Sequence, residues 1–191
     1  MNALSGLIIA AIIIVVIILI LLIWVIATYN GFISLKNKCE EGYSTMDVYL
    51  KKRFDLIPNL VETVKGYAAH ESGTLEKVTQ ARSMIQSATT PDQKFEGESQ
   101  LTGALRSLFA VSESYPDLKA NTNFLDLQNQ LTGIEDEIAK ARKFYNALVR
   151  MFNVKVQSVP SNIIAGLFHF TERPMFEVGS EEERVAPKVQ F

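Results

Sequence analysis

Hydrophobic positions fall into two regimes along the chain. Leu7–Ala27 is an unbroken run of 21 apolar residues. At about 1.5 Å per residue it makes a helix of about 31 Å, the thickness of a bilayer's hydrocarbon core. No face of it is polar, as the core helix of a soluble protein would require. Trp24 and Tyr29 stand near its C-terminal end, where an aromatic belt lies in a membrane helix. Ile, Leu and Val dominate and no GxxxG occurs, so the run reads as an anchor more than as a close-packing dimer motif. A cleaved signal peptide fits poorly, because no basic residue precedes the run and Ala27-Thr28-Tyr29 is not a small-x-small site. Leu7, Trp24 and Ala27 mark the predicted anchor.

Beyond Ala27 the apolar residues recur every three or four positions, which predicts helices and no strand ladder. The first stripe runs Phe32, Leu35, Cys39, Tyr43, Met46, Leu50, Phe54, Ile57, Val61, Val64 and Ala68. No break separates it from the anchor, so one helix is expected to continue through both, with a kink or local break at Pro58. His70–Thr74 reads as a turn with Thr74 capping a second helix. Thr90-Pro91-Asp92 reads as N-cap, N1 proline and early acid, starting a third. Tyr115-Pro116-Asp117 repeats that punctuation. The fourth helix has steps of 3,4,3,4 through Phe124, Leu127, Leu131, Ile134, Ile138, Ala141, Tyr145, Leu148 and Phe152, a coiled-coil seam. Val159-Pro160 ends it and a short helix, Ile163–Phe168, follows.

The pattern predicts an all-α protein: one N-terminal transmembrane helix continuing into an antiparallel up-and-down four-helix bundle with long first and fourth helices. The organisation is 1–6 a short N-terminal segment, 7–27 the span, 28–158 the bundle, 159–176 a membrane-proximal helix with an aromatic segment, and 177–191 a polar tail.

Charge sharpens this division. No charged residue precedes Lys36, and the net charge of −2 is carried by the tail Glu172–Phe191. A neutral body argues against nucleic-acid binding, which needs a clustered basic surface. Lys36 and Lys38 follow the span and no basic residue precedes it, which favours a cytoplasmic C-terminal domain and an external N-terminus. One cysteine, Cys39, forms no intramolecular disulfide.

The stretch Asp47-Val48-Tyr49-Leu50-Lys51-Lys52-Arg53-Phe54-Asp55-Leu56-Ile57-Pro58-Asn59-Leu60-Val61-Glu62-Thr63-Val64-Lys65-Gly66-Tyr67 resembles the LemA family. Tyr29-Asn30, Leu75-Glu76-x-Val78-Thr79-x-Ala81-Arg82, Tyr145-Asn146 and Pro160-Ser161-Asn162-Ile163-Ile164-Ala165 fit the same family. The resemblance covers Thr28 to about Phe176. It implies a bacterial inner-membrane protein with a short external N-terminus, one span, a cytoplasmic helical bundle and no established enzymatic activity. His169, in Phe168-His169-Phe170, departs from the family, which commonly has Gly there, so no tight turn is assumed at that position.

The chain offers little for catalysis. Its two histidines are His70 and His169, and no CxxC, HExxH, P-loop, GxGxxG or nucleophile elbow occurs. No cofactor or metal site is expected, and the protein reads as non-enzymatic. Glu135-Asp136-Glu137 lacks the Glu-x-x-His pairs of a di-metal bundle and reads as a solvated face. Lys51-Lys52-Arg53 reads the same way, partly paired with Asp47 and Asp55.

Two features exceed that background. Tyr29-Asn30 with Asn37 parallels Tyr145-Asn146 with Asn153, either because two packed helices meet similar demands or because Asn fixes register with a partner. The terminus carries Ile163, Ile164, Leu167, Phe168, Phe170 and Phe176, which either cap the bundle or insert into the membrane surface or a neighbouring subunit. The expected function is a membrane-anchored helical scaffold that self-associates laterally. The alternative is a signalling or adaptor protein working with another membrane protein, such as a membrane protease.

Overall fold

The computed structural model describes residues 3–176. Every regular element among them is a helix: α1 Ala3–Lys65, α2 Ser72–Ser87, α3 Pro91–Ser112, α4 Pro116–Lys119, α5 Thr122–Gln157 and α6 Ser161–Leu167. The tail beyond residue 176 lies outside the described residues.

Helix α1 carries the apolar run, and it is the one described helix long and apolar enough to cross a membrane. Leu7 is 68% exposed, and Ala27 is exposed as well. The helix continues through Pro58 without the expected break. Pro58 is exposed, so water reaches the backbone group that the ring leaves without a donor.

Local chemistry sets the other ends. At α3 the Thr90 hydroxyl accepts from the Gln93 N–H at 3.3 Å, and the Gln93 side chain accepts from the Thr90 N–H at 3.3 Å, a full capping box ahead of Pro91. At α2 the cap lies three residues earlier than expected: Glu71 precedes a helix that starts at Ser72, and Thr74 lies inside its first turn. The carbonyl of Glu71 closes that turn by accepting from Thr74 and Leu75, while its carboxylate accepts from the Tyr115 hydroxyl at 3.0 Å. Tyr115-Pro116-Asp117 starts only the four-residue α4. The long α5 takes its cap from Asn121, whose Oδ1 accepts from the Phe124 N–H at 2.9 Å.

The chain divides into two compact units. The anchor unit comprises residues up to Glu41 together with Ala147–Arg173. The core unit comprises Gly42–Asn146 and the chain from Pro174. Within the core unit α1, α2, α3 and α5 share one aliphatic cluster, with Ile57, Leu60, Val78, Leu101, Leu108 and Leu131 fully buried. Each such side chain contributes about 1.5–3 kcal/mol by leaving water. The α5 seam is buried at every predicted position except Ile134, which is half-buried. Helices α2 and α3 approach closely at Gly97, where a Cβ would lie 3.2 Å from the backbone nitrogen of Ile85.

Candidate functional site

The anchor unit is organised around aromatic rings. Phe32 on α1 is fully buried, stacks on Phe170 at 4.7 Å and meets Phe152 of α5 edge-on at 6.0 Å. Tyr29, one turn earlier, packs against Phe168 at 4.7 Å and Phe170 at 5.8 Å. Offset and edge-on pairs of this kind add about 0.5–1.5 kcal/mol beyond the area they bury. Lys155 lies over the Phe32 ring at 4.8 Å. A Cβ at position 31 would stand 2.1 Å from its Nζ, so a side chain there would displace the flexible end of Lys155. Burial lowers the pKa of Lys155. Cys39 is fully buried, and that burial pushes its thiol up, with Arg173 opposing. Reagents in water therefore reach Cys39 poorly, and it is a weak probe of topology.

The asparagines of α5 hold backbone. In the anchor unit Asn153 donates to the Arg173 carbonyl at 2.9 Å and accepts from the Arg173 N–H at 2.9 Å. In the core unit Asn146 does the same for Phe176, at 2.9 and 2.8 Å. Beside it the Tyr145 hydroxyl donates to the Pro174 carbonyl at 3.0 Å, and Phe176 is buried 4.5 Å from the Phe95 ring. A side-chain amide offers one donor and one acceptor in a plane, the same complement as a peptide unit. Each clasp thus satisfies a stretch of chain that has no secondary structure. Their counterparts on α1, Asn30 and Asn37, are exposed. The parallel between the two sequence stretches therefore does not extend to a shared contact.

The terminal apolar residues divide in two. Ile164 and Phe176 are buried and Phe170 is half-buried. Ile163, Leu167 and Phe168 are exposed at 63, 66 and 44%. Trp24 of the anchor is half-buried.

The sequence reading missed an ion cluster in the core unit. Arg53 is 1% exposed, not part of a solvated run. Its Nη1 donates to Thr102 Oγ1 at 2.8 Å and to Glu135, and its Nη2 donates to the carboxylate and the backbone carbonyl of Glu98. Glu98 is also 1% exposed. Desolvation raises its pKa; the Arg53 charge opposes this and does not cancel it. Glu135 is thus an ion-pair partner and not simply a solvated acid. Lys51 pairs with Asp55 at 3.2 Å as expected, but Asp47 pairs instead with Lys94 of α3. A signal was available. Arg53 continues the buried α1 stripe Met46, Leu50, Ile57, Leu60, and Glu98 interrupts the α3 stripe Phe95, Leu101, Leu105 at helical spacing. Opposite charges at seam positions of two helices mark a buried pair.

The Arg53 and Glu98 side chains of this cluster are closed off from water. Among the described residues no group of three His, Cys, Asp or Glu side chains stands close enough to hold a metal ion. Among the described residues the fold is all-helical, with one membrane-length apolar helix. The profile of the LemA family matches residues 42–191, and the chain belongs to that family. It is 29% identical over 154 residues to Protein LemA of Metamycoplasma hominis, covering 78% of this chain and 68% of that one. It is 26% identical over 179 residues to Magnetosome protein MamQ 2 of Paramagnetospirillum magneticum, covering 80% and 66%. It is 25% identical over 172 residues to Magnetosome protein MamQ of Magnetospirillum gryphiswaldense, covering 76% and 63%. The chain thus spans about two thirds of the length of these relatives.

Proposed function

We propose that this protein is a non-enzymatic, single-pass scaffold of the bacterial inner membrane that self-associates laterally. In this reading Leu7–Ala27 spans the bilayer and the helices beyond it form an antiparallel up-and-down bundle on the cytoplasmic side. One observation carries self-association. Helix α5 buries one seam, yet keeps Phe144, Met151 and Val154 exposed at 56, 57 and 55%. Their spacing of seven and three is that of a second apolar stripe on the same helix. An anchored protomer is confined to a plane, so a modest stripe gains from high effective concentration.

The test is the mass of the full-length protein in mild detergent across a concentration series. An assembly larger than a dimer is expected, and Met151→Glu should shift it toward monomer. A wild-type protein that is monomeric at every concentration would refute the scaffold. Recovery of a single stoichiometric foreign membrane protein in place of self-assembly would favour an adaptor. For orientation, an exposed cysteine introduced by Asn37→Cys should resist an impermeant thiol reagent until cells are lysed.

A further inference from the structure

The anchor unit has an apolar face that the bundle does not use. Helix α6 is two-sided. Ile164 and Ala165 are buried at 2% each, while Ile163 and Leu167 point away, Phe168 stays part-exposed beside Tyr29, and Val159 just before the helix is 80% exposed. Val159, Ile163 and Leu167 are spaced i, i+4, i+8 along the chain. Water alone is a poor neighbour for four such side chains. We infer that α6 is a membrane-surface element that lays this face into the boundary between headgroups and acyl chains beside the span.

Three observations select lipid as the occupant. The first is continuity with the anchor. Tyr29 is two residues past Ala27 and its ring sits 4.7 Å from Phe168, so α6 is held where α1 leaves the apolar run. An aromatic pair at that level matches the belt that membrane proteins place at the interface. The second is charge. From Val156 to Thr171 the chain has no Asp, Glu, Lys or Arg, although acids and bases are frequent on either side. The exposed apolar face is thus free of charges that burial in an interface would have to desolvate. The third is length. Seven residues offer about two turns, enough for a shallow wedge but not for the sustained seam a second copy would engage.

The inference rests on the anchor reading and is independent of self-association. Trp24 is the chain's one tryptophan. In a Trp24→Phe background, Ile163→Trp and, separately, Leu167→Trp place a fluorophore on the exposed face, and Val48→Trp serves as a control in the core unit. The full-length proteins are reconstituted in phosphatidylcholine–phosphatidylglycerol vesicles containing lipids brominated near the headgroup end of the acyl chain. The two α6 tryptophans should lose at least half their emission to bromolipid and be shielded from aqueous acrylamide, with Val48→Trp the reverse. Acrylamide quenching of both α6 variants at the level of Val48→Trp would overturn the proposal. Shielding from both quenchers would also overturn it, because protein would then cover the face. Failure of the protein to float with vesicles would remove the anchor reading itself, an outcome distinct from the other two.

Discussion

The two units solve the burial problem in opposite ways. The core unit closes on itself with aliphatic side chains from α1, α2, α3 and α5, and tolerates one ion cluster inside. The anchor unit is held by a few rings around Phe32 and by an asparagine clasp, and leaves Met151, Val154, Val159, Ile163 and Leu167 exposed besides its apolar run. One buries its apolar side chains within itself; the other leaves a set of them exposed. Family membership rests on residues 42–191, so the closed core lies within the matched region and the apolar run outside it.

The largest expected effect lies in the core unit. Arg53→Met strands the Glu98 carboxylate at 1% exposure without its hydrogen-bonded counter-charge, leaving only the field of Lys94. Breaking a buried pair by removing one partner costs about 3–5 kcal/mol, and replacing both can be near neutral. Chemical denaturation of the detergent-solubilised protein should show that loss for Arg53→Met, with much of it recovered in Arg53→Met/Glu98→Met. The pH dependence has a defined sign. Glu98 already has a folded pKa above its unfolded value, and losing Arg53 raises it further. Protonation relieves the buried charge, so Arg53→Met should regain stability as pH falls from 7 through the raised folded pKa, whereas a variant hurt only by lost packing would not. An unchanged midpoint for Arg53→Met at neutral pH would show the cluster to be solvated.

What the sequence discloses follows the same division. The α5 seam was readable because nine positions in strict 3,4 alternation average out local exceptions, and only Ile134 is left half-buried. The start of α3 was readable because Thr90, Pro91 and Gln93 act on their immediate neighbours. Arg53 was not recognised, since Lys51 and Lys52 before it and Asp55 after it make the stretch look like a charged face. Its partners lie 45 and 82 residues away. The clasps were half visible. Asn146 and Asn153 stand out beside the α5 seam, but they bind backbone amides, and backbone leaves no signature in the sequence that could name residues 173 and 176.

The comparison can be sharpened with Asn153→Ala. The substitution leaves the N–H and C=O of Arg173 without the partners they have now. Leaving a buried polar group unsatisfied costs about 1–3 kcal/mol, and here water pays part of the cost because Arg173 is only half-buried. Hydrogen exchange should quicken around 170–173 by about ten-fold, in line with about 1.4 kcal/mol, while the slowest amides of the core unit keep their rates. A uniform acceleration across both units would mean they unfold together and would erase the distinction drawn between them.

The smallest effect tests the turn that ends α6. His169 has φ +57°, the left-handed region. The hydrogen bonds explain why: the Phe170 N–H reaches the Ala165 carbonyl at 2.9 Å and the His169 N–H reaches the Gly166 carbonyl at 3.4 Å. That pair of bonds is a Schellman motif, which needs a left-handed residue just past the helix and usually finds Gly there. The tight turn that a histidine argued against is therefore present, because Phe170 must fold back onto Phe32. A side chain other than Gly in this region carries a steric cost of about 1 kcal/mol, partly offset by the greater unfolded-state freedom of Gly. The His169 side chain is exposed, so its removal forfeits little packing. His169→Gly should stabilise the turn by about 0.5–1 kcal/mol, read as roughly two- to five-fold slower exchange of the Phe170 amide. Faster exchange would show that the imidazole contributes more to the end of α6 than its backbone conformation costs.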